Sequence, residues 1–366
     1  MKKIKLLVLS NMYPSKEAKT FGIFVKNQVE ALKQAGIDVD VVAVNNPNMG
    51  KANVIKKYSA WLLQTFANVL SRGKSYDVVH AHYVFPTGLL ALAYKKLFGK
   101  RMIVTAHGGD IDRMAQKSPR IRRLTTQILQ EADHVIAVGH ELHQTIHEEF
   151  GVSKEKLSII NMGVNRQVFA PMDKQKARQI VTLSQDEKMI LFVGNLIRQK
   201  GLIELVEAYE KVKERMPEAS LYLIGATKDV HFRKELEEII QARGLNDVHI
   251  MDALSQKEIA TWMNAADLFV LPSHIEGFGL VALEAMSCHT PVVGTRVGGL
   301  RYLLADDAGV LVEPQNPHSL AEGIINVLEN ESFVEHLIEN GEKQAQKNDQ
   351  EQLIQRVLEV YSPLGG

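Results

Sequence analysis

Short apolar runs rich in β-branched residues alternate along this chain with longer segments whose apolar positions recur at helical spacing, which is the pattern of a parallel sheet with crossover helices. In the first half, strands are predicted at 4–9, 39–44, 78–81, 102–105, 134–138 and 157–160. After residues 167–173 the pattern starts again, with strands predicted at 189–193, 220–224, 248–251, 268–271, 291–294 and 309–312. The chain therefore reads as an α/β protein of two doubly wound, Rossmann-like halves, 1–170 and 171–345. The seam falls near 165–185, where Phe169, Pro171 and Asp173 suggest a linker. A polar stretch at 340–349 precedes a final helical pattern at 350–361. Ligands of such sheets bind beyond the carboxyl ends of the strands, so function is expected in the loops that follow them and in a cleft between the halves.

At 366 residues the chain is long for a single core, which fits two domains. Its one cysteine, Cys288, excludes an internal disulfide and a Cys-cluster metal site; it is expected to pack as a small buried residue in a protein of the reducing cytoplasm. The first residues begin like a signal peptide, but Lys5 interrupts the apolar run and a turn at 11–14 ends it, so a first buried strand is the better reading. No segment approaches 18 consecutive apolar residues, so no membrane span is predicted.

The net charge of zero hides an asymmetry: residues 1–180 carry 27 Lys and Arg against 14 Asp and Glu, and residues 181–366 carry 16 against 29. The basic half holds clusters at Lys51/Lys56/Lys57, Lys95/Lys96/Lys100/Arg101 and Arg113/Lys117/Arg120/Arg122/Arg123. Attraction to an anionic membrane surface is expected from it, and hence a peripheral position on the inner face of a membrane. Nucleic acid is disfavoured, because aromatic residues are 6% of the chain and do not interleave with the clusters.

The segment LPSHIEGFGLVALEAMSCHTPVVGTRVGG, residues 271–299, places Glu276 and Glu284 eight positions apart around Gly277, Phe278, Gly279 and Leu280. An apolar strand there gives way to a helical pattern, so unpaired backbone N–H groups should collect at a helix start, a setting that favours anions. Glu276 stays on the loop while Glu284 falls one to two turns into the helix. One acid can then bond a ribose diol and the other a sugar. The loop 194–201 carries Arg198 and Lys200, two cations able to stabilise a departing diphosphate without a metal.

The first strand is followed by Ser10-Asn11-Met12-Tyr13-Pro14 rather than a GxGxxG fingerprint, which counts against an NAD enzyme. Gly22 opens the next helical pattern instead. His107 lies in Thr105-Ala106-His107-Gly108-Gly109-Asp110, with Asp110 a candidate helix cap. His80 and His82 share one face of a strand end, but no Cys or carboxylate follows at ligand spacing, so they read as cleft structure or acceptor contact rather than a metal site.

The Glu276–Glu284 spacing resembles the Glu-x7-Glu motif of the retaining glycosyltransferases of the GT-B architecture (glycosyl transferases group 1, family 4), and the resemblance runs over nearly the whole chain. It implies a metal-independent, retaining transfer of a hexose-type sugar from a nucleoside diphosphate, UDP by family frequency, to an acceptor hydroxyl. The acceptor would be a glycan or a lipid-linked cell-envelope precursor, and the nucleotide sugar a co-substrate with no further cofactor. Glu284 would hold the ribose, Arg198 and Lys200 the diphosphate, and Glu276 with the backbone of Gly277, Phe278, Gly279 and Leu280 the sugar. Gly22 would approach the donor phosphates. His107 would sit beside the sugar, so that His107 and Glu276 form the reacting centre. Residues 346–366 would cross back onto the first domain.

This chain departs from the family pattern at Phe21, where a glycine is usual, and at Asn195, where an arginine is. A covalent role for Glu276, as in a retaining glycosidase, is a minor option. Two other readings stay open: a GT-B nucleotide-sugar 2-epimerase, and a non-catalytic carbohydrate-binding or envelope relative.

Overall fold

The computed structural model describes residues 4–362 apart from Glu17 and Met49. The chain divides into two compact units, Met1–Met162 with Gln350–Gly366, and Gly163–Asp349, a few residues from the 170 and 345 drawn from the linker pattern.

The first unit is a six-stranded parallel sheet of β1 (Lys5–Ser10), β2 (Asp38–Ala43), β3 (Val78–His82), β4 (Arg101–Ala106), β5 (His134–Ala137) and β6 (Leu157–Ile159) in the order β2-β1-β3-β4-β5-β6. The chain direction across the sheet reverses between β1 and β3, the switch point where loops diverge and leave room for a ligand. The helix α1 (Ile23–Gln34) follows β1, and α2 (Lys51–Arg72) follows β2.

The second unit repeats the plan with β7 (Lys188–Val193), β8 (Ala219–Ile224), β9 (Val248–Met251), β10 (Leu268–Leu271), β11 (Val292–Thr295) and β12 (Val310–Val312) in the order β12-β11-β10-β7-β8-β9. Its switch point lies between β7 and β10, which pair through Leu268↔Ile190 and Phe269↔Leu191. All four residues of β10 are buried, as a central parallel strand covered by helices on both faces must be.

The last helix, Gln350–Tyr361, packs in the first unit. Leu353, Ile354, Val357 and Tyr361 enter a cluster with Leu6, Val8, Val25 and Val29 of β1 and α1. Arg101 donates from Nε and Nη2 to the Val360 carbonyl at 3.1 and 3.0 Å, and Arg356 reaches the Ile159 carbonyl at 2.8 Å. A 12-residue helix is marginal alone; burial of its apolar face, at about 1.5–3 kcal/mol per large side chain, holds it here.

Candidate functional site

The residues of the second unit that the sequence singles out lie after β7 and β10, whose carboxyl ends flank the switch point. Lys200 closes the loop after β7 and Glu276 lies in the loop after β10. Their side chains meet as an ion pair, Nζ to Oε2 at 2.6 Å, with both mostly buried. Ser273, fully buried, donates from Oγ to the same Oε2 at 3.3 Å, and its carbonyl accepts from Thr295 Oγ1 at 2.5 Å, which ties the loop to β11. Two further bonds knit the β7 and β10 loops: His274 N–H donates to the Gln199 carbonyl at 2.9 Å, and the His274 ring meets Glu204 at 2.9 Å.

Glycines let these loops close. At Gly201, φ is +70° and a Cβ would stand 1.9 Å from the Pro272 carbonyl oxygen. At Gly298 a Cβ would stand 1.8 Å from the carbonyl oxygen of Glu276, while the neighbouring Gly299 N–H donates to that oxygen at 3.1 Å. Gly298→Ala is therefore expected to displace the Glu276 loop and destabilise the unit by about 2 kcal/mol or more, read as a drop in melting temperature.

The helix Leu280–Ser287 starts from Gly279, at φ +94°. Among the described residues, the N–H groups of Gly277, Phe278, Gly279 and Leu280 have no backbone acceptor. They form the positive end of a helix beside a carboxylate already neutralised by Lys200, a hole for a ligand with anionic and hydroxyl oxygens. Glu284 sits in this helix, recessed, with no hydrogen-bond partner among the described residues. Burial pushes its carboxyl up to about 8, from an ordinary 4.5. A partnerless, largely neutral carboxyl can both donate to and accept from a diol.

Arg198 does not join Lys200. Its guanidinium pairs with Glu235 and lies 5.4 Å from the Phe232 ring centroid, both on the helix Val230–Ala242, and the side chain is 55% exposed. The planar fork finds a carboxylate and an aromatic face there at once.

In the first unit, Gly22 has a backbone role: it precedes α1 at φ +70°, where a Cβ would stand 2.6 Å from the Met12 carbonyl oxygen. His107 follows β4. Its Nε2 lies 3.2 Å from Nδ1 of His82, and its ring packs against Tyr83 and Phe24 at centroid distances of 4.6 and 5.0 Å. Burial, and then the neighbouring His82, push the His107 pKa well below the ordinary histidine value, so the ring is neutral. His82 is likewise pushed down by burial to about 3, and among the described residues its Nε2 is buried without a partner.

His80 stacks on His82 at 4.5 Å and spends both nitrogens, one on the Tyr361 hydroxyl and one on Thr105 Oγ1, each at 2.7 Å. The returning C-terminal helix thus braces the histidine row. Asp110 is a brace rather than a helix cap: its carboxylate accepts from the N–H groups of Val84 at 2.9 Å and His107 at 3.0 Å, and burial raises its pKa to about 6. Tyr83 takes a left-handed φ of 70°, a strain of about 1–3 kcal/mol, held by its N–H bond to the Thr105 carbonyl at 2.9 Å.

Sequence reasoning missed Ser273, Tyr361 and the pairing of His82 with His107. The alternate placement of His80 and His82 was the available signal. Also in the first unit is a cavity of about 610 Å³, lined by Tyr13, Asn45, Asn46, Asn53, Lys57 and Gln64 among others. Burial raises the Cys288 thiol to about 12, in keeping with a packing role.

Residues 173–344 match the family model of the glycosyl transferases group 1, and residues 22–168 match that of glycosyltransferase family 4. The chain is 31% identical to a D-inositol 3-phosphate glycosyltransferase of Streptosporangium roseum, over 78% of this chain and 69% of that one. Among solved structures, the sucrose-phosphate synthase of Thermosynechococcus elongatus superposes with a TM-score of 0.84 at 24% identity, covering 98% of each chain. HepE of Anabaena, in complex with UDP and glucose, superposes with a TM-score of 0.79 at 22% identity, covering 99% of this chain and 100% of that one.

Proposed function

Since the chain belongs to the group 1 glycosyltransferases and is a sugar-transferring enzyme of the two-domain GT-B fold, we propose that it moves a hexose-type sugar from UDP to an acceptor hydroxyl, with retention and without a metal ion. What supports this reading is the Lys200–Glu276 pair at the switch point of the second unit, followed in the chain by the N–H groups of residues 277–280, which lack backbone acceptors among the described residues, and by the recessed Glu284. A UDP-sugar offers one group to each. The ribose diol suits Glu284, the diphosphate suits Lys200 and the helix start, and the sugar hydroxyls suit Glu276. The complex of HepE with UDP and glucose supports UDP as the nucleotide.

In this reading Arg198 reaches the diphosphate only by leaving Glu235, so Lys200 is the main cation. The leaving phosphate takes the acceptor's proton as the sugar passes through an oxocarbenium-like state on one face. His107, being neutral, serves as a hydrogen-bonding partner of the sugar and not as a general acid. The amide-rich cavity beside α2, with Lys57 in its wall, supports an acceptor carrying hydroxyl or phosphate groups, such as a glycan or lipid-linked precursor.

The test is to incubate the purified protein with several nucleotide sugars and acceptors, following free nucleotide and the anomeric configuration of the product by NMR. UDP release that requires an acceptor, an unchanged anomeric configuration and activity undiminished by EDTA are expected. A strict requirement for Mn²⁺ or Mg²⁺ overturns the metal-independent reading, and epimerised nucleotide sugar formed without acceptor overturns transfer in favour of epimerisation.

A further inference from the structure

The helix α2 spans 22 residues yet buries only Trp61 and Thr65. Ile55, Leu62, Leu63, Phe66 and Leu70 are 51–71% exposed. At the helical repeat of about 100° per residue these five fall on one arc roughly 100° wide, shared with Ala52 and Ser59, and run about 22 Å along the axis. Five large apolar side chains in one exposed stripe differ from the single exposed leucines that any surface carries.

Every charge on the helix itself is positive, and its last residue, Arg72, pairs with Asp40 of β2 at 3.3 Å. The helix contains no Asp or Glu. Lys51 and Lys56 border the arc on its two sides, and neither pairs with a carboxylate among the described residues. At the far end, Lys74 is exposed and its carbonyl accepts from Lys100 Nζ at 2.8 Å, so a second cation stands beside it. An apolar face with cationic borders matches the boundary between acyl chains and anionic headgroups, where the stripe enters the hydrocarbon edge and lysines meet phosphate. A second copy of the chain fits poorly, because a two-fold interface would set the basic borders against themselves. Among the described residues no helix is long and apolar enough to cross a membrane, so α2 would lie in the plane of the surface.

We propose that α2 docks this protein on an anionic lipid bilayer by laying the stripe Ile55–Leu62–Leu63–Phe66–Leu70 into the headgroup region between its flanking lysines. The apolar stripe itself is no part of the cavity assigned to the acceptor, although Lys56 lines both, so the Leu63→Ser/Phe66→Ser variant is the one that separates docking from the sugar chemistry.

The full chain is to be sedimented with vesicles of phosphatidylcholine alone and with vesicles of equal parts phosphatidylcholine and phosphatidylglycerol. Binding to the anionic vesicles, weakened by salt, with little binding to the neutral ones, is expected. The double variant Leu63→Ser/Phe66→Ser should bind the anionic vesicles about tenfold more weakly or worse, with an unchanged melting temperature because both side chains face solvent. Lys51→Glu/Lys56→Glu should lose binding to a comparable degree. Phe66→Trp reports insertion directly: the emission that this substitution adds to that of the parent should shift to the blue on anionic vesicles and be quenched by bromine-labelled acyl chains.

Equal binding to both kinds of vesicle, undiminished binding by the serine variant, or an added indole emission in Phe66→Trp that vesicles do not move would each overturn the proposal. So would a dimer in sedimentation equilibrium that the serine variant converts to monomer, which would assign the stripe to self-association.

Discussion

Replacing Lys200 with alanine is expected to lower kcat/KM for sugar transfer by about a thousandfold or more. Two losses combine in this variant. The ammonium that would stabilise negative charge on the departing diphosphate is gone, and Glu276, now mostly buried and unpaired, puts an uncompensated negative charge where the anionic donor must bind. The second loss separates this site from an ordinary surface ion pair, which is worth about 0–1 kcal/mol. Adding Glu276→Gln to Lys200→Ala should therefore restore part of the donor affinity while turnover stays low. Kinetics of the two single variants and the double variant measure this coupling. Strictly additive effects, or a Lys200→Ala enzyme with near-parental kcat/KM, would remove the pair from the donor site.

The second large effect concerns Glu284, whose substitution should move stability and activity in opposite directions. Its carboxyl titrates near 8 in the folded chain because burial disfavours the charged form, against about 4.5 ordinarily. Below the ordinary value both folded and unfolded chains hold the proton, and the site costs nothing. As pH rises from about 4.5 towards 8, the unfolded chain ionises while the folded chain does not, so the stability of the parent falls across that window. Glu284→Gln has no proton to lose. The variant should thus gain on the parent as pH rises, reaching about 2–4 kcal/mol near pH 8 at roughly 1.4 kcal/mol per unit, and the gain should vanish below pH 4.5.

Over the same range the variant should lose nucleotide binding and turnover by about a hundredfold or more, since two hydroxyls donated by a bound ribose would draw the carboxyl, neutral in the empty site, into its ionised form with two acceptor oxygens, and an amide offers only one. Denaturant melts at several pH values, alongside calorimetric titration with UDP, separate the two effects. A pH-independent difference in stability would refute the raised carboxyl, and unchanged UDP affinity would refute its place on the ribose.

Much of this architecture was readable in advance. The twelve predicted strands are present, each within a residue or two of its expected ends, because a strand covered on both faces is a short, nearly unbroken apolar run such as Leu268–Leu271. The helix start at Gly279 was readable for a similar reason: a glycine between a strand and a helical repeat is a local signal.

What escaped the sequence were relations between residues far apart in the chain. Arg198 turned to Glu235, 37 positions away, and nothing in its own loop announced that partner. His82 faces His107 because β3 and β4 pair in the register His82↔Thr105, which sets two strand ends side by side. His80 owes one of its two hydrogen bonds to Tyr361, 281 positions later.

The order of the elements, the parallel class of both sheets and the two-acid motif were determined by the sequence itself, since each is written in short-range periodicity and spacing. The tertiary structure alone decided which side chains share a pocket, which charge each of them carries, and which face of an amphipathic helix is covered. The helix α2 is the clearest case: its apolar stripe has the same period as a buried face, yet Trp61 and Thr65 turn inward and Ile55, Leu63 and Phe66 turn out. Helical period states only that a face is apolar. What lies against that face depends on contacts between distant segments, and those exist only once the chain has folded.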